Sequence, residues 1–563
     1  MDTPLGYGIR GGRTLATSVE LDNIYNQVAK FKRDREQKRR QPPLVRLWDG
    51  DWNLRGRLTG EYSGEFEFLL NDTGAGHIEL PADHHLAQWV FKYWERGKSN
   101  VFITVDSAGA RWSGMLDSST VEKNEEGYLV CTLRFLHEIE QLKHILVWAN
   151  PFTASVVQFP RSFVLAGPSI YCLKTALFLN LKRLYASWWS LPDDPLSFEG
   201  WKSGLDYKNW PMIVKPQNLA DDGSQWTVIN SRFKTWFDMA ESTLGDGQIY
   251  VECRRWLEGD PQPWEGAGLH RNGQLVIDLV DKSGVWDLTS TGGNLFGGLL
   301  RTVIQVADDL IDETRVHTGR ADNAPEYTLA NYLGTNPKQP WAVYRTDDKV
   351  NTAESTEFTW QPATVSQVVV GGKSMPGVNE GISAAVQLMF NTLSTYLFLP
   401  SLGGPVDTLL RPIYEDTIMA FMNIKSTKRT TSLGWSHYRE RFQDGGDQAW
   451  TLSAILALRN GFWETRERTS HSMKVGDGAP YLIGDQGEGH LFLGDRVGGQ
   501  IPGSKEGTVV VDQVSSLKLS WDADTPHEWE ITVGDPNAID DPLNHALGKI
   551  KDAFAALHDL GVT

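Results

Sequence analysis

The chain has 563 residues, of which 40% are hydrophobic and 22% charged, so most of it is expected to form several globular domains. Its formal net charge of −17 argues against a broad nucleic-acid-binding surface, because such surfaces are basic. The 22 tryptophans are typical of large cores and of protein interfaces, and they do not by themselves separate an enzyme from an assembly protein.

The sequence carries no signal for export or for crossing a membrane. Residues 1–12 are polar and glycine-rich, without the apolar segment of a secretory signal. The most apolar long stretch, 162–181, is interrupted by Gly167-Pro168 and contains Lys174, which favours a buried amphipathic helix over a membrane span. We therefore expect a protein that is made in a cytoplasm and stays soluble.

The first predicted element is a helix over residues 14–40. Val19, Ile24, Val28 and Phe31 recur near helical spacing, and Pro42-Pro43 ends the pattern. The last third of the helix is basic, with Lys30, Lys32, Arg33, Arg35, Lys38, Arg39 and Arg40. These cations form either a solvated face or a contact with an acidic neighbour or passing DNA. Because the apolar stripe has no obvious partner in the following β region, we expect the helix to dock on a neighbouring subunit.

The rest of the chain alternates between strand-rich and helical blocks, which predicts an α+β, multidomain fold. Short alternating runs between Leu44 and Leu142, with a helix at 82–96 among them, predict a small antiparallel barrel. Further helices are expected at 380–398, 406–424 and 434–467, and Val365 to Val370 is expected to be a buried strand. The predicted divisions are an arm with the basic helix (1–43), a first β-barrel (44–150), a helical insert and loop (151–225), a second β-rich domain (226–375), a helical region (376–468), a C-terminal β domain (469–540) and a C-terminal helix (541–563).

Known catalytic and cofactor motifs are missing or out of context. Gly6 to Gly11 matches a dinucleotide-loop pattern, but no strand precedes it, so we interpret it as a chance match in a flexible arm. The sequence has no GxxxxGK[ST], HExxH or GxSxG. His84-His85 lies at a predicted helix start without a third ligand, which favours a capping role over a metal site. Cys131, Cys172 and Cys253 are widely spaced and are expected to be small buried hydrophobes.

The acidic clusters are candidates for hydrolase or calcium sites. Asp308-Asp309 and Asp312-Glu313 fit the polar side of a helix, and Asp193-Asp194 fits a turn between prolines. One alternative to a purely structural role is a sugar-binding cleft with an acid pair, formed by Glu252, Glu258 and Asp260 near Trp256 and Trp264. The loop 484–489 is a second alternative, as a calcium site, but it lacks the DxDxDG arrangement and is better explained as a turn. We therefore predict no catalytic residue, no cofactor-binding residue, no metal ligand and no cofactor.

Several loose Trp, Gly and Asp motifs resemble one known family. Near the N-terminus these are Leu47-Trp48-Asp49-Gly50, Leu70 to Gly76, Ala110 to Gly114 and Trp148 to Pro151. Near the C-terminus they are Thr431 to Trp435, Asp447 to Trp450 and Phe492 to Val497. The chain is identified by these residues as resembling the siphovirus Gp37-like minor tail proteins of actinobacteriophages, over nearly its whole length.

This resemblance implies a structural subunit of a phage tail. It implies a trimeric hub at the tail tip, made of β-barrel domains similar to the tail tube, with helical inserts and connecting helices. The hub would join the distal tail protein to other minor tail proteins at the tip, contact the tape measure protein and close the tube before DNA passes through without specific binding. The protein would be a virion component, assembled in the host cytoplasm and without enzymatic activity.

Two rival functions remain open at this point. One is a peptidoglycan hydrolase that uses the carboxylates near Trp256 and Trp264. The other is a tip protein that binds host cell-wall polysaccharide through exposed tryptophans.

Overall fold

The computed structural model describes residues 18–123, 127–186, 191, 196, 204–283, 315–318, 342–347, 350–371, 421–443, 452–486, 489–504 and 508–535. Several predictions fall outside these residues. They are the helices predicted near 300–313, at 380–398 and at 541–560, most of the one at 406–424, and the acidic clusters Asp193-Asp194 and Asp308 to Glu313. None of the helices within them has the length and apolar character needed to cross a membrane.

Six α-helices are described, and several begin or end at residues that explain their limits. They are α1 (Ser18–Arg39), α2 (His85–Phe91), α3 (Ser169–Ala186), α4 (Trp236–Gly247), α5 (Thr427–Leu433) and α6 (Leu452–Glu464). The Thr235 hydroxyl accepts a hydrogen bond from the Asp238 amide at the start of α4, and Ser426 caps α5 in the same way through Arg429. Gln248, with a φ of 51°, ends α4 in the left-handed conformation.

The strands are β1 (Leu44–Asp49), β2 (Leu54–Arg57), β3 (Ser63–Leu69), β4 (Ala75–Pro81), β5 (Val101–Ser107), β6 (Ala110–Lys123), β7 (Leu129–His137), β8 (Phe163–Pro168), β9 (Met212–Val214), β10 (Trp226–Ser231), β11 (Ile249–Trp256) and β12 (Gln274–Asp281). They continue with β13 (Arg315–Thr318), β14 (Val343–Tyr344), β15 (Thr346–Asp347), β16 (Val350–Asn351), β17 (Ser355–Gln361), β18 (Val365–Gly371), β19 (Phe421–Lys425), β20 (Tyr438–Gln443), β21 (Arg468–Lys474), β22 (Arg496–Gln500), β23 (Thr508–Asp522) and β24 (Glu528–Gly534).

One large sheet joins the two ends of the described chain. Its path runs β17-β21-β24-β23-β3-β4-β7-β6-β5-β1-β2; off this path β13 and β22 pair with β23, and β14 pairs with β22. The joint is the antiparallel pairing of β3 with β23, in which Leu69 lies opposite Ser516 and Ser63 opposite Asp522. The predicted first β domain and the predicted C-terminal β domain are therefore parts of one sheet.

This sheet buries the largest core. Phe66, Ile78, Leu80 and Trp112 from its first half pack in the same cluster as Leu517, Leu519, Trp529 and Ile531 from its second half. In β3 and β4 buried and half-buried residues alternate, as expected for strands with one face on a core. In the described residues β17 and β2, the two ends of the path, do not pair, so the structure shows a continuous sheet and not a closed barrel.

A second core combines helices with a small sheet. Helices α3 and α4 cover the three-stranded sheet β11-β12-β9 and the antiparallel pair β10-β8. The Trp236 indole on α4 is fully buried and donates a hydrogen bond of 3.0 Å to the Leu173 carbonyl on α3. The helix of the predicted insert 151–225 thus shares a core with strands of the predicted domain 226–375.

A third, smaller core lies between α6 and the sheet β19-β18-β20. It consists of Val365, Val368 and Val370 on β18 with Leu458 and Phe462 on α6. The strand predicted at Val365 to Val370 is confirmed.

The helix predicted over 434–467 is wrong in its first half. Residues 438–443 form β20, which pairs in parallel with β18, and α6 begins only at Leu452. The helix predicted over 406–424 is also wrong at its end, because β19 begins at Phe421. Charged residues such as Arg439, Glu440 and Arg441 favour a helix locally, but the partner strand β18 supplies the backbone hydrogen bonds that decide the outcome.

Candidate functional site and interaction surfaces

The acid residues considered for hydrolysis serve mainly to connect parts of the fold. The Asp260 carboxylate accepts hydrogen bonds from the Arg111 guanidinium and, at 2.9 Å, from the Leu257 amide. Burial raises the pKa of Asp260, but these hydrogen bonds outweigh it and the net pKa is lowered. An ionised, ion-paired Asp260 does not offer the protonated acid that a glycoside-cleaving pair needs. Glu258 is exposed, on the loop just before Asp260.

The tryptophans beside these acids are not free to line an open cleft. Trp256 is buried, and its indole N–H donates a hydrogen bond of 3.2 Å to the Pro261 carbonyl. Trp264 is half-buried and packs against the second core. In the described part of the chain, both tryptophans of the predicted sugar cleft are therefore packed against other side chains.

Glu252 has the most perturbed environment of the three acids. It lies on β11, and burial followed by the nearby charge of Asp485 raises its pKa to about 7. One of its carboxylate oxygens, Oε1, is buried without a hydrogen-bond partner. Asp485 itself is buried and forms an ion pair with Arg254. Glu252 is thus a half-buried acid whose protonation changes near neutral pH.

The described part of the loop proposed as a calcium site is attached to β11 through Asp485. The ion pair with Arg254 occupies the Asp485 carboxylate, and Gln486 has a φ of 50°, as in a tight turn. Residues 487 and 488 lie outside the described residues. Among those described, no group of three or more His, Cys, Asp or Glu side chains is arranged to hold a metal ion.

His84 and the three cysteines lie in structural positions. His84 Nδ1 accepts a hydrogen bond of 3.2 Å from the Leu86 amide and so caps α2. Cys131, Cys172 and Cys253 are buried free thiols. Burial raises the pKa of Cys131 to about 11 and that of Cys172 to about 12, which keeps both thiols protonated at neutral pH.

A buried ion pair and two side-chain hydrogen bonds join β11 to residues that follow strands of the large sheet, a feature that the sequence analysis missed. Arg255 on β11 forms a two-pronged pair with Glu138, at 2.8 Å and 2.7 Å, and the Glu138 side chain is fully buried. The Arg255 guanidinium also lies over the Trp52 ring, 4.7 Å from its centroid. The Asn71 side-chain oxygen accepts a hydrogen bond from the Val251 amide at 2.8 Å, and its Nδ2 donates one to the Ile249 carbonyl at 2.6 Å. These residues are far apart in the chain, so no local pattern reveals the junction.

A cleft of about 620 Å³ opens where the large sheet, α4 and the end of α6 meet. Its walls include Asn71, Asp238, Trp463, Arg468 and Asp512. Seven acidic and three basic side chains are among the residues that line it.

The basic helix α1 carries several exposed apolar residues. Tyr25 and Phe31 are 72% and 62% exposed, and Ile24 and Val28 are also exposed. Only its C-terminal end contacts other described residues through hydrogen bonds, from Arg35 to His490 and from Arg39 to Asp477. The predicted helix is confirmed, and within the described residues its apolar stripe has no covering partner.

A second exposed group of aromatic residues lies on and beside β20. Trp435 is 87% exposed and Tyr438 75% exposed, and Phe442 follows on the same face of the strand. Exposed rings of this kind contact sugars or other proteins.

Comparison with solved structures finds phage and prophage tail proteins of low sequence identity. A tail protein from Neisseria meningitidis MC58 gives a TM-score of 0.39 at 10% identity, covering 88% of this chain and 98% of that chain. The 43 kDa tail protein of prophage MuSo2 from Shewanella oneidensis gives a TM-score of 0.41 at 10% identity, covering 88% of this chain and all of that one.

Comparison of sequences finds much stronger similarity. Minor tail protein Gp28 of Mycobacterium phage L5 is 36% identical over 595 aligned positions, which cover 97% of this chain and 99% of the relative. Minor tail protein Gp28 of Mycobacterium phage D29 is 35% identical with the same coverage. The family model for the siphovirus ReqiPepy6 Gp37-like protein matches residues 44–535. The chain therefore belongs to the siphovirus ReqiPepy6 Gp37-like family, and its full-length relatives are mycobacteriophage minor tail proteins.

Proposed function

We propose that this chain is a minor tail protein that forms a homotrimeric hub at the tail tip of a long-tailed phage. The observation that carries the proposal is the similarity to the Gp28 minor tail proteins over nearly the full length of both chains. In this role the hub joins the distal tail protein above to other minor tail proteins below. It also contacts the tape measure protein and closes the tube before DNA ejection.

Two features of the fold support a structural role in an assembly. The buried Arg255–Glu138 pair joins β11 to the residue that follows β7 of the large sheet, and truncating one partner of such a pair is costly, so these elements hold a fixed orientation. The end strand β2 is largely exposed along Leu54–Arg57. An exposed end strand readily pairs with another chain, and a closed ring of subunits offers it a partner.

The proposed hub has no enzymatic role and does not bind DNA specifically. Asp260, one of the three acids of the supposed cleft, and the neighbouring Asp485 are paired with arginines. A chain with a net charge of −17 repels the genome and so favours its passage through the ring. Cell-wall cleavage and receptor binding then fall to other proteins of the virion. Clearing of host peptidoglycan in a zymogram of the purified chain would overturn this part of the proposal.

The proposal is tested by the mass and symmetry of the assembled protein. Purified chain should have a native mass of three times 63.0 kDa by mass photometry. Cryo-electron microscopy of intact virions should show it as a threefold ring at the tail tip. A single chain per particle, or a position along the tube, would contradict the hub.

A second candidate function is binding of cell-wall polysaccharide, favoured by the exposed rings of Trp435 and Tyr438. Under the hub proposal, the purified chain does not sediment with isolated host cell walls. If it does, and if Trp435→Ala with Tyr438→Ala abolishes the retention while Trp94→Ala does not, the second candidate replaces the first. Trp94 is a suitable control because it is 65% exposed and lies on a different part of the surface.

A further inference from the structure

The loop of residues 150–160, which precedes β8, is held together by the side chains of Asn150 and Gln158. Gln158 Oε1 accepts a hydrogen bond from the Asn150 amide at 2.8 Å, and Gln158 Nε2 donates to the carbonyls of Asn150 and Ala154, both at 3.1 Å. Asn150 Nδ2 donates to the Phe159 carbonyl at 2.7 Å. The two amide side chains of this apolar loop therefore turn inward and bind its own backbone.

The large apolar side chains of the same loop turn outward. Phe152 is 62% exposed, Val156 87%, Val157 60% and Phe159 81%. The sequence from residue 145 to residue 160 contains no charged side chain. Single exposed apolar residues are ordinary, but four on one short uncharged loop mark an interaction site.

Exposed cations lie at the base of the apolar loop. Arg161 follows the loop directly, and Arg232 and Lys234 follow β10, the strand that pairs with β8. Phe163 lies opposite Ser231 in that antiparallel pair, so continuing the register brings Arg161 beside the other two cations. The apolar tip is thus flanked by positive charge where it joins the fold.

The segments that build this end of the molecule contain no acidic residue. No Asp or Glu occurs from residue 141 to 192 or from residue 223 to 237, although 71 of the 563 residues of the chain are acidic. The same two segments contain five and two Lys or Arg residues. Charges more than a Debye length away, about 10 Å at 0.1 M salt, are largely screened, so the acidic excess elsewhere has little influence on this end.

These features fit the surface of an anionic lipid bilayer. Hydrocarbon offers no hydrogen-bonding groups, so a loop that enters it must bind its own backbone, as Asn150 and Gln158 do. Cations beside an apolar tip remain at the level of the lipid phosphates. A protein interface of ordinary composition exchanges hydrogen bonds with its partner, but the two amide side chains of this loop are already engaged within it.

We propose that the apolar loop is a lipid-contacting site that inserts Phe152, Val156, Val157 and Phe159 into an anionic bilayer. Arg161, Arg232 and Lys234 then bind the headgroup phosphates. The site does not depend on the number of subunits in the proposed hub. The proposed position at the tail tip is what brings it to the membrane of the host cell.

The first test is flotation of the purified full-length chain with vesicles. The wild type should float with vesicles of phosphatidylcholine and phosphatidylglycerol, and less with vesicles of phosphatidylcholine alone. Val156→Asp with Phe159→Asp should reduce the bound fraction roughly tenfold or more. Leu54→Asp with Trp94→Asp is the matched control, because it replaces one aliphatic and one aromatic side chain, 55% and 65% exposed, and adds the same charge. The control should float like the wild type.

The second test separates the role of the cations from that of the apolar tip. Arg161→Gln with Lys234→Gln should remove the preference for vesicles that contain phosphatidylglycerol and leave the weaker binding to phosphatidylcholine. An unchanged preference would exclude headgroup binding by these side chains.

The third test reports directly on insertion. Val156→Cys can be labelled with an environment-sensitive NBD dye, because Cys131, Cys172 and Cys253 are buried. Its emission should shift to the blue, and it should become protected from iodide when anionic vesicles are added. The same dye at Trp94→Cys should show neither change.

The outcomes distinguish this inference from the proposed function. A chain that floats with neither kind of vesicle, or that loses flotation equally in the loop variant and its control, overturns the lipid site and leaves the hub. A loop variant that still floats but no longer has the native mass of the wild type assigns the loop to a contact between proteins and also overturns the lipid site. A monomeric wild type that floats through the loop overturns the hub and leaves the lipid site.

Discussion

At the residue scale, stability depends on a few charged side chains that the fold has removed from water. Arg255 and Glu138 are 6% and 0% exposed, and they satisfy each other with two hydrogen bonds. The pair Lys98–Asp51 has the same charges, a distance of 3.4 Å and side chains that are 58% and 52% exposed. The two pairs offer a direct comparison of buried and exposed ionic contacts within one chain.

Arg255→Met should destabilise the protein strongly, because it leaves the Glu138 carboxylate buried without its partner. The expected loss in free energy of unfolding is about 3–5 kcal/mol. The matched control Lys98→Met should cost about 0–1 kcal/mol, since solvent screens the exposed pair. The midpoint of urea unfolding, followed by tryptophan fluorescence, measures both. Equal shifts in the two variants would show that Arg255–Glu138 is not a structural pair.

Glu252 makes stability depend on pH near neutrality. Its pKa is about 7 in the folded chain, mainly through burial and next through Asp485, against an ordinary value of 4.5. Between these two values the folded state keeps a proton that the unfolded state releases, so stability falls as pH rises from 4.5 to 7. Above pH 7 the whole penalty, on the order of 3 kcal/mol, is present.

Glu252→Gln should remove this penalty. We expect the variant to gain most over the wild type at pH 8 and little at pH 4.5, in urea midpoints recorded across that range. Glu258→Gln, at an exposed neighbouring acid, serves as the control and should follow the wild type. A wild-type stability that rises steadily from pH 5 to pH 8, with no difference for Glu252→Gln, would contradict the prediction.

At the element scale, the contact between β3 and β23 depends on a glycine. Gly64 lies opposite Trp521, and a Cβ atom at Gly64 would come within 2.4 Å of the Trp521 ring. The same ring stacks on Phe66, with centroids 5.6 Å apart. The absence of a side chain at Gly64 is what allows the indole to lie flat across the joint.

Gly64→Ala should loosen the joint between β3 and β23. Displacing the Trp521 ring costs about 1–3 kcal/mol, as in other overpacked cores. Hydrogen exchange should show faster exchange of the backbone amides of β3 and β23, with those of β11 unchanged. Gly97→Ala is the matched control, since nothing lies within 4 Å of a Cβ atom there. Equal exchange in both variants would exclude a role for the glycine.

Elements with a strong internal pattern could be predicted, and those decided by a distant partner could not. The apolar stretch 162–181 correctly predicts α3 from Ser169 onward, although residues 163–168 form β8, and the valines of β18 correctly predict a buried strand. Residues 438–443 are mostly charged or exposed, and they form a strand because β18 lies beside them. The same limit applies to the candidate site. His84 is recognisable as a cap, but the burial of Glu252 depends on a loop more than 200 residues away.

At the scale of the whole molecule, the predicted domain boundaries remain a prediction. The pairing of β3 with β23 shows that the segments 44–150 and 469–540 contribute strands to one sheet. The similarity to the tail family is visible in the sequence, since its motifs extend from residues 47–50 to 492–497. That the first and last β regions form one sheet is not visible there. Neither β3 nor β23 contains a local signal for its partner, and pairing between strands so distant follows only from the packing of the core.

The joint between β3 and β23 has a consequence for biosynthesis. Leu69 leaves the ribosome about 450 residues before its neighbour Ser516, which at ordinary elongation rates is a delay of roughly 20–90 seconds. During that time the edge of β3 offers unsatisfied backbone groups to any other nascent chain. In an infected cell, where many copies are translated at once, the first half of the sheet must therefore be protected until translation is almost complete. Truncated chains, which never supply β23, keep this edge exposed permanently and are expected to be removed by the chaperones and proteases of the host.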